Sequence, residues 1–363
     1  MAGCLGQSVS SEGTPTEQPD GTETPPSDLD VSARGDWDYD GDGEPSDLPT
    51  RDPDVPLVDD ESTFTENAQS GGVARDGIPS IDDPTFVDAD EADGALDPGD
   101  PVFGVVEGDD ARAYTQNVLV WHEIVNDIVD GTPLAITYCP LTGTAMGFER
   151  GETTFGVSGR LVNSNLIMYD RATGSWFPQV IGHGIAGELR GRALRQVPVV
   201  WTTWERWRSA HPDTDVLSEQ TGFARDYQRD PYGEYNPPEG YYATGSPMFG
   251  VMHTDGRFDD KRVVIGARGP DGALAVEKKR LLESGMLTES VGGVQHVAVA
   301  DEGLSTGYVY RNPDAISVEP VDGGYRLDGE TYAPDELPLD RLVAFDAMWF
   351  AWAAFYPHTA VAE

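Results

Sequence analysis

Lysine is nearly absent from this sequence. The chain has 363 residues but only three lysines, Lys261, Lys278 and Lys279, against 64 acidic residues, and its formal net charge is −40. Neutralising nucleic-acid phosphates requires clustered basic residues, so nucleic acid is excluded as an expected partner. The many acidic residues repel one another, and molar salt shortens the screening length of this repulsion to about 3 Å. The composition therefore predicts a halophilic protein adapted to strong brine, and the alternative is a merely acidic protein.

Long apolar runs and metal-binding patterns are also missing. No stretch of about 18 apolar residues occurs, which excludes a membrane-spanning helix and leaves a lipid or a partner as the means of membrane association. The histidines are scattered without the spacing of zinc ligands, so we expect no metal site. A glycine-rich phosphate loop and a serine-centred nucleophile elbow are likewise absent. The sequence does not indicate a cofactor.

Cysteine occurs only twice, as Cys4 and Cys139, in settings too different for a structural disulfide. The Ala-Gly-Cys sequence that ends at Cys4 is typical of a lipoprotein cleavage site, at which the cysteine becomes acylated. The charged and apolar parts of a signal peptide do not precede it, so we interpret Met1 as an internal residue of a longer reading frame. We therefore expect an extracytoplasmic protein, lipid-anchored to the cell membrane through Cys4. The alternative is a chance cysteine near the start of a cytosolic protein.

Residues 1–75 lack apolar patterning and are rich in Ser, Thr, Pro, Gly, Asp and Glu. Such a segment cannot bury enough apolar surface to offset the entropy of ordering it. We predict that it is a disordered acidic linker of the lipoprotein type, extended by its own charge.

The remaining sequence is typical of a β-rich α+β protein. Short apolar runs such as 134–138 and 166–169 alternate with Gly, Pro and Asp every eight to twelve residues, a pattern that favours strands. Apolar residues at helical spacing predict a helix over 115–129. Two tryptophan-rich segments, which contain the pairs Trp204/Trp207 and Trp349/Trp352, predict short helices stopped by proline.

These tryptophan segments indicate an internal repeat. The pairs and the Pro-x-Thr sequences that follow them match at an offset of 145, and a second match upstream, Gly131 with Gly292, runs at an offset of 161. We predict two related β-rich halves, 76–225 and 263–363, joined by a connector over 226–262. Each half is closed by one tryptophan helix. The alternative is a coincidence between two tryptophan-rich core helices.

The halves differ where chemistry would be expected. Cys139 ends a predicted strand of the first half, and His122 or a nearby arginine could activate its thiol. The equivalent turn of the second half has no cysteine, so we place any catalytic site in the first half, with Cys139, His122, Asp170 and Arg171 as candidates. The alternatives are a buried structural cysteine, a histidine on a packed helix face, and a structural Asp170–Arg171 ion pair.

Several motifs of the first half, over 121–127, 137–145, 154–159, 166–171 and 176–179, together with 227–232 and 345–352, resemble the family known as domain of unknown function 3179. Within that family the chain is most similar to a haloarchaeal lipoprotein-type member. The resemblance covers about residues 76–363 and implies no established activity. It also implies that many relatives have a second cysteine at the position of Thr142, as expected of a thiol redox centre. This chain lacks that partner.

Two functions fit these observations. The first is an uncharacterised envelope protein that serves as a ligand-binding or scaffolding module, in which Trp176, Gln179 and Tyr232 line a pocket for a small molecule or peptide, or contact an envelope protein. The alternative is a thiol-dependent redox protein or enzyme that uses Cys139 with His122. Loss of the second cysteine favours the binding module.

Overall fold

The structure is a computed structural model that describes residues 48–53, 57–243 and 245–363. The expected lipid attachment at Cys4 and most of the predicted linker lie outside the described residues. Within these ranges strands far outnumber helices, which confirms the β-rich fold. No helix in the described part of the chain is long and apolar enough to cross a membrane.

The described residues begin with short elements that pack onto the rest of the protein. They are β1 (Thr50–Arg51), α1 (Glu61–Glu66), β2 (Gln69–Ser70), β3 (Phe86–Asp88) and α2 (Ala89–Ala92). Asp60 caps α1 by accepting the Thr63 N–H at 2.8 Å, and Phe64 of this helix is fully buried beside Phe355, with ring centroids 5.9 Å apart. Residues 57–75 are therefore folded, although the predicted linker extends to residue 75, because Phe64 gives this part of it an apolar anchor.

From residue 101, the described residues of the first half contribute to three larger sheets and form two further helices. Its elements are β4 (Pro101–Glu107), β5 (Asp110–Thr115), α3 (Gln116–His122), β6 (Ile124–Val129), β7 (Thr132–Cys139), β8 (Thr144–Glu149), β9 (Phe155–Val162), β10 (Asn165–Asp170), β11 (Trp176–Pro178), β12 (Ala193–Leu194), β13 (Gln196–Val197), β14 (Val200–Thr203), α4 (Trp204–Ala210) and β15 (Asp215–Leu217). The sheet orders are β14-β4-β5-β15-β3, β13-β8-β7-β6 and β11-β10-β9-β2, and β12 pairs with β1.

The helix predicted over 115–129 is wrong in its second part. The helix α3 ends at His122, and β6 follows it and pairs antiparallel with β7. Glu123 between them has the left-handed conformation, with φ of 59°, which stops the helix. The residues after it are largely Val and Ile, whose branched side chains favour a strand.

The connector, over 226–262, contains a short 3₁₀ turn at Gly240–Tyr242. The second half follows with β16 (Val263–Gly269), β17 (Gly272–Glu277), α5 (Lys278–Ser284), β18 (Met286–Val291), β19 (Val294–Asp301), β20 (Thr306–Arg311), β21 (Val318–Val321), β22 (Gly324–Leu327), β23 (Glu330–Tyr332), β24 (Asp340–Leu342), β25 (Ala344–Met348), α6 (Trp349–Phe355) and β26 (Ala360–Ala362). The sheet orders are β25-β16-β17-β26, β18-β19-β20-β24 and β21-β22-β23.

Two sheets of each half have matching strand orders. The order β14-β4-β5-β15 corresponds to β25-β16-β17-β26, and in both sheets only the last pair is parallel. The order β6-β7-β8-β13 corresponds to β18-β19-β20-β24. Val294 begins β19 and stands 162 positions after Thr132, which begins β7. The predicted offset of 161 is wrong by one residue, so Cys139 corresponds to Asp301 rather than to Ala300 on the opposite face.

Each half is closed by its predicted tryptophan helix, α4 or α6. The rings of Trp207 and Trp352 lie directly on a central strand of the sheet, at Gly104 and Gly266 respectively. A Cβ at these glycines would come within 2.1 Å and 2.2 Å of the rings, so no larger residue fits there. The indole N–H of each tryptophan donates to a threonine Oγ1 seven residues further on, at 3.0 Å in both halves.

The halves contact each other through equivalent turns. The backbone N–H of Met348, at the end of β25, donates to the carbonyl of Thr142 in the β7–β8 turn at 2.9 Å. In the other direction, the Thr202 hydroxyl of β14 donates to the carbonyl of Leu304 in the β19–β20 turn at 2.5 Å. Because β14 and β25 hold equivalent places in their sheets, each half contacts the turn of the other through the equivalent strand, at neighbouring positions.

Candidate functional site

Cys139 is the last residue of β7 and is fully buried. Its sulfur accepts the Leu166 N–H at 3.4 Å and lies 3.8 Å from the carbonyl of Ser164. Burial, followed by the nearby Glu123 carboxyl, raises the pKa of the thiol to about 11. The thiol is therefore protonated at neutral pH, which is opposite to the environment that activates a nucleophilic cysteine.

His122 is also fully buried, and both of its ring nitrogens have partners other than the thiol. Nδ1 lies 2.7 Å from the carbonyl of Pro79, and Nε2 lies 2.7 Å from the hydroxyl of Tyr227. A carbonyl only accepts, so Nδ1 carries the proton and Nε2 accepts from the tyrosine. Burial lowers the pKa of His122. The lowered pKa favours the neutral imidazole, and neither contact pairs it with Cys139.

Asp170 and Arg171 bind different partners. The buried carboxylate of Asp170 accepts the N–H groups of Ala172 and Thr173, at 3.1 and 3.0 Å, and so holds the turn after β10. The guanidinium of Arg171 donates to Asp82 at 2.8 Å and to Ser80 at 2.9 Å. The contacts of both side chains tie the protein's own segments together.

The three predicted pocket residues belong to different surroundings. Gln179 is fully buried in a polar network, in which its amide nitrogen donates to Thr137 at 2.9 Å and its amide oxygen accepts from Thr144 at 2.6 Å. Trp176 is buried in β11, and the guanidinium of Arg160 lies 5.6 Å from its ring. Tyr232 lies with the tyrosines of the connector. These three side chains contact different groups, and a shared pocket stays a prediction.

Glu123 is a residue that the sequence reasoning missed as a site candidate. It is a non-glycine residue in the left-handed region and is only 6 % exposed. Burial raises the pKa of its carboxyl to about 8, and this group acts electrostatically on Cys139 and Tyr232. The equivalent residue of the second half is Gly285, and both carbonyls accept from the strand beside them at 2.8 Å. The glycine at the equivalent place was the available signal that Glu123 is unusual.

The connector covers the turn that contains Cys139. The Tyr241 hydroxyl donates to the carbonyl of Leu141 at 2.7 Å. The Tyr235 hydroxyl lies 2.9 Å from the position a Cβ would take at Gly143, whose φ of 58° favours glycine. Tyr241 and Tyr235 thereby separate the Cys139 turn from solvent.

Next to this cover lies a cleft of about 880 Å³ between the first half, the connector and the second half. The side chains that give it its character are Trp201, Tyr235, Asn236, Asp259, Lys261, Arg262, Lys278, Lys279, Glu283 and Asp346. All three lysines of the chain are in this set. They come from two segments, the end of the connector and the start of α5.

The cations of the cleft differ in how they are paired. Lys278 forms an ion pair with Asp346. Burial raises the pKa of the Asp346 carboxyl, and the lysine offsets only part of this rise. Arg262 donates to Glu277 at 2.8 Å. Lys279 has a looser partner, Glu283 at 3.8 Å, and its side chain is 75 % exposed. The cleft thus combines four basic side chains with three carboxyl groups beside the aromatic rings of Trp201 and Tyr235, in a chain that is strongly negative as a whole.

Histidine, cysteine and carboxylate side chains do not form a metal centre in this site. Among the residues that the structure describes, no group of three or more of them is arranged to hold a metal ion. The cleft is lined by ammonium, guanidinium, carboxyl and aromatic groups.

The fold and the cleft define a β-rich protein with a charged, aromatic cleft between two halves of similar topology. The family model described as "Protein of unknown function (DUF3179)" matches residues 75–359, and the chain belongs to this family. The predicted family membership is thereby confirmed. No curated protein and no solved structure matches the chain.

Proposed function

We propose that this protein is a ligand-binding module that holds a small organic anion in the cleft between its halves. The observation that carries the proposal is the convergence of all three lysines on one cleft in a chain of net charge −40. Positive groups in a concave site of low dielectric constant concentrate anions there. Trp201 and Tyr235, with ring centroids 4.7 Å apart, supply an apolar wall for the uncharged part of the ligand.

Lys279 is the cation best placed to contact such a ligand, because its side chain is mostly exposed and its ion pair with Glu283 is loose. Lys278 and Arg262 already have close carboxylate partners, and we expect them to set the local potential. Ligand recognition then combines one available ammonium with an aromatic surface, an arrangement suited to an acid with a flat or apolar body.

The experiment is a binding titration with anilinonaphthalene sulfonate, a fluorescent aromatic anion, in the lowest salt that keeps the protein folded. Lys279→Glu should weaken saturable binding about fivefold, since it reverses a charge close to the anion. Arg280→Glu is the matched control, because Arg280 is the next residue of α5, is exposed and does not line the cleft. Equal effects of the two variants, or no saturable binding, would contradict the proposal.

We further infer that the protein works in the cell envelope of a salt-adapted organism and is lipid-anchored through Cys4. The support is the Ala-Gly-Cys sequence at the start of the chain and the excess of acidic residues. Detergent-phase partitioning of the protein, but not of a Cys4→Ser variant, tests the anchor.

We also infer that the two halves arose by internal duplication. The support is the strand order that two sheets of each half share, and the two tryptophan helices, each of which packs a tryptophan ring on a glycine of a central strand. Replacing 204–210 by the sequence of 349–355 should give a protein that folds with reduced stability, and a chain that fails to fold would count against equivalence.

Thiol chemistry at Cys139 is the alternative function. It has less support, because the sulfur is fully buried, its pKa is raised to about 11 and His122 is bonded elsewhere. Its test is the alkylation experiment described in the Discussion.

A further inference from the structure

The three lysines of the cleft have different surroundings. Lys278 is paired with Asp346, and Lys279 has Glu283 at 3.8 Å. The Nζ of Lys261 is buried and has no hydrogen-bond or carboxylate partner among the described residues. It lies instead on the ring of Tyr241, 2.9 Å from the centroid, with the ring of Phe350 at 5.5 Å.

An amine in these surroundings is poorly suited to remain an ammonium ion. A buried charge without a hydrogen-bond acceptor is costly, and attraction to an aromatic face recovers only part of that cost. Burial therefore lowers the pKa of Lys261 to about 7, although the neighbouring Asp260 opposes the shift. At neutral pH a large fraction of Lys261 then has a free lone pair, which is the form that attacks carbonyl carbons.

We propose that Lys261 forms a reversible imine with the carbonyl group of a small aldehyde or ketone that also carries an acidic group. The lone pair on Nζ attacks the carbonyl carbon, and the C=O π electrons move to oxygen, which takes up a proton to give a carbinolamine. Nζ then loses its protons while the hydroxyl leaves as water, and a C=N bond forms. No oxidant or reductant is needed. The proposal rests on the proposed function, because Lys279 in the same cleft supplies the contact to the acidic group.

The test uses the whole chain with glyoxylate, which has an aldehyde and a carboxylate, and with cyanoborohydride to trap any imine. Peptide mass mapping then locates the label among only three lysines. At pH 7 we expect Lys261 to be labelled at least about tenfold faster than Lys279, even though Lys279 is far more exposed, because an ordinary solvated lysine is almost wholly protonated there. The rate at Lys261 should level off above about pH 7.

Lys261→Met keeps a side chain of similar length without charge but cannot form an imine, and it should lose the fast label while circular dichroism shows an unchanged fold. Binding of the fluorescent anion without fast labelling at Lys261 would overturn the imine proposal and leave the anion cleft standing. Acetaldehyde, which has no carboxylate, tests whether Lys261 can be reactive without the anion-binding function. If it labels Lys261 as fast as glyoxylate, and Lys279→Glu slows neither reagent, the amine is reactive but the anion-binding function is overturned. Slower glyoxylate labelling alone in Lys279→Glu supports both proposals.

Discussion

The β7–β8 turn of the first half and the β19–β20 turn of the second half occupy equivalent places but differ in burial. Pro140 and Leu141 are buried, whereas their equivalents Glu302 and Gly303 are exposed, and Cys139 is fully buried where Asp301 is partly exposed. Both turns contact the opposite half. The difference comes from the connector, which covers only the first turn with Tyr235 and Tyr241. The turn of the first half is therefore buried and that of the second half partly exposed, although the two folds are similar.

The largest expected contrast concerns the thiol itself. In a Cys4→Ser background, Cys139 should react with iodoacetamide more than about a thousandfold more slowly than a cysteine placed at Asp301 in a Cys139→Ser chain. Cys139 is reached only when the structure opens, and its raised pKa leaves little thiolate, whereas position 301 is partly exposed. Rates measured by mass spectrometry at neutral pH check this. Comparable rates would favour the thiol alternative.

The next contrast is between Glu123 and Gly285. The pKa of Glu123 is raised from 4.5 to about 8 in the folded protein, so the unfolded state ionises first as the pH rises. The stability contributed by the neutral carboxyl is full below about pH 4.5 and is lost on the way to pH 8. Glu123→Gln should match the parent near pH 5 and be about 3 kcal/mol more stable at pH 8. Urea unfolding at both pH values measures the difference.

Glu152→Gln is the control for this prediction, because Glu152 is an exposed glutamate of the same half. It should change the stability little at either pH. If Glu123→Gln shows the same small change at pH 8, Glu123 is already ionised in the folded protein and the burial argument is wrong.

The smallest expected effect concerns the cover. Tyr241→Phe removes the hydrogen bond to the carbonyl of Leu141 and should lower the free energy of unfolding by about 1 kcal/mol. Tyr332→Phe removes a bond to the exposed Glu330 and should have a smaller effect. Faster alkylation of Cys139 in Tyr241→Phe, but not in Tyr332→Phe, would show that the connector restricts access to this turn. Identical rates would assign the protection to the sheet alone.

Local patterning predicted much of the fold. Gly and Pro residues between the apolar runs indicated the strands. The tryptophan pairs located α4 and α6, because one ring of each pair, Trp207 or Trp352, packs on a sheet. The pattern over 115–129 misled, since residues buried on both sides of a strand can share helical spacing. The fold of residues 57–75 depends on distant contacts, such as that of Phe64 with Phe355 and the pairing of β2 with β9, which composition cannot reveal.

The site was less accessible to sequence reasoning. Cys139 and His122 were site candidates from the sequence, but their hydrogen-bond partners, Leu166 and Tyr227, are distant in sequence. The scarcity of lysine was visible from the start, whereas its convergence on one cleft depends on how the connector and α5 meet. Pairwise proximity of this kind is a tertiary property and is not encoded in any local pattern.

The reciprocal seating of the two turns has a consequence for how the molecule unfolds. Met348 bonds to the turn of Thr142, and Thr202 bonds to the turn of Leu304. This reciprocal contact resembles the self-complementary interface of a two-fold dimer, here within one chain. The connector keeps the partners at high effective concentration. Detachment of either half would strip both turns of their neighbours at once, so we expect the halves to melt together in one cooperative transition.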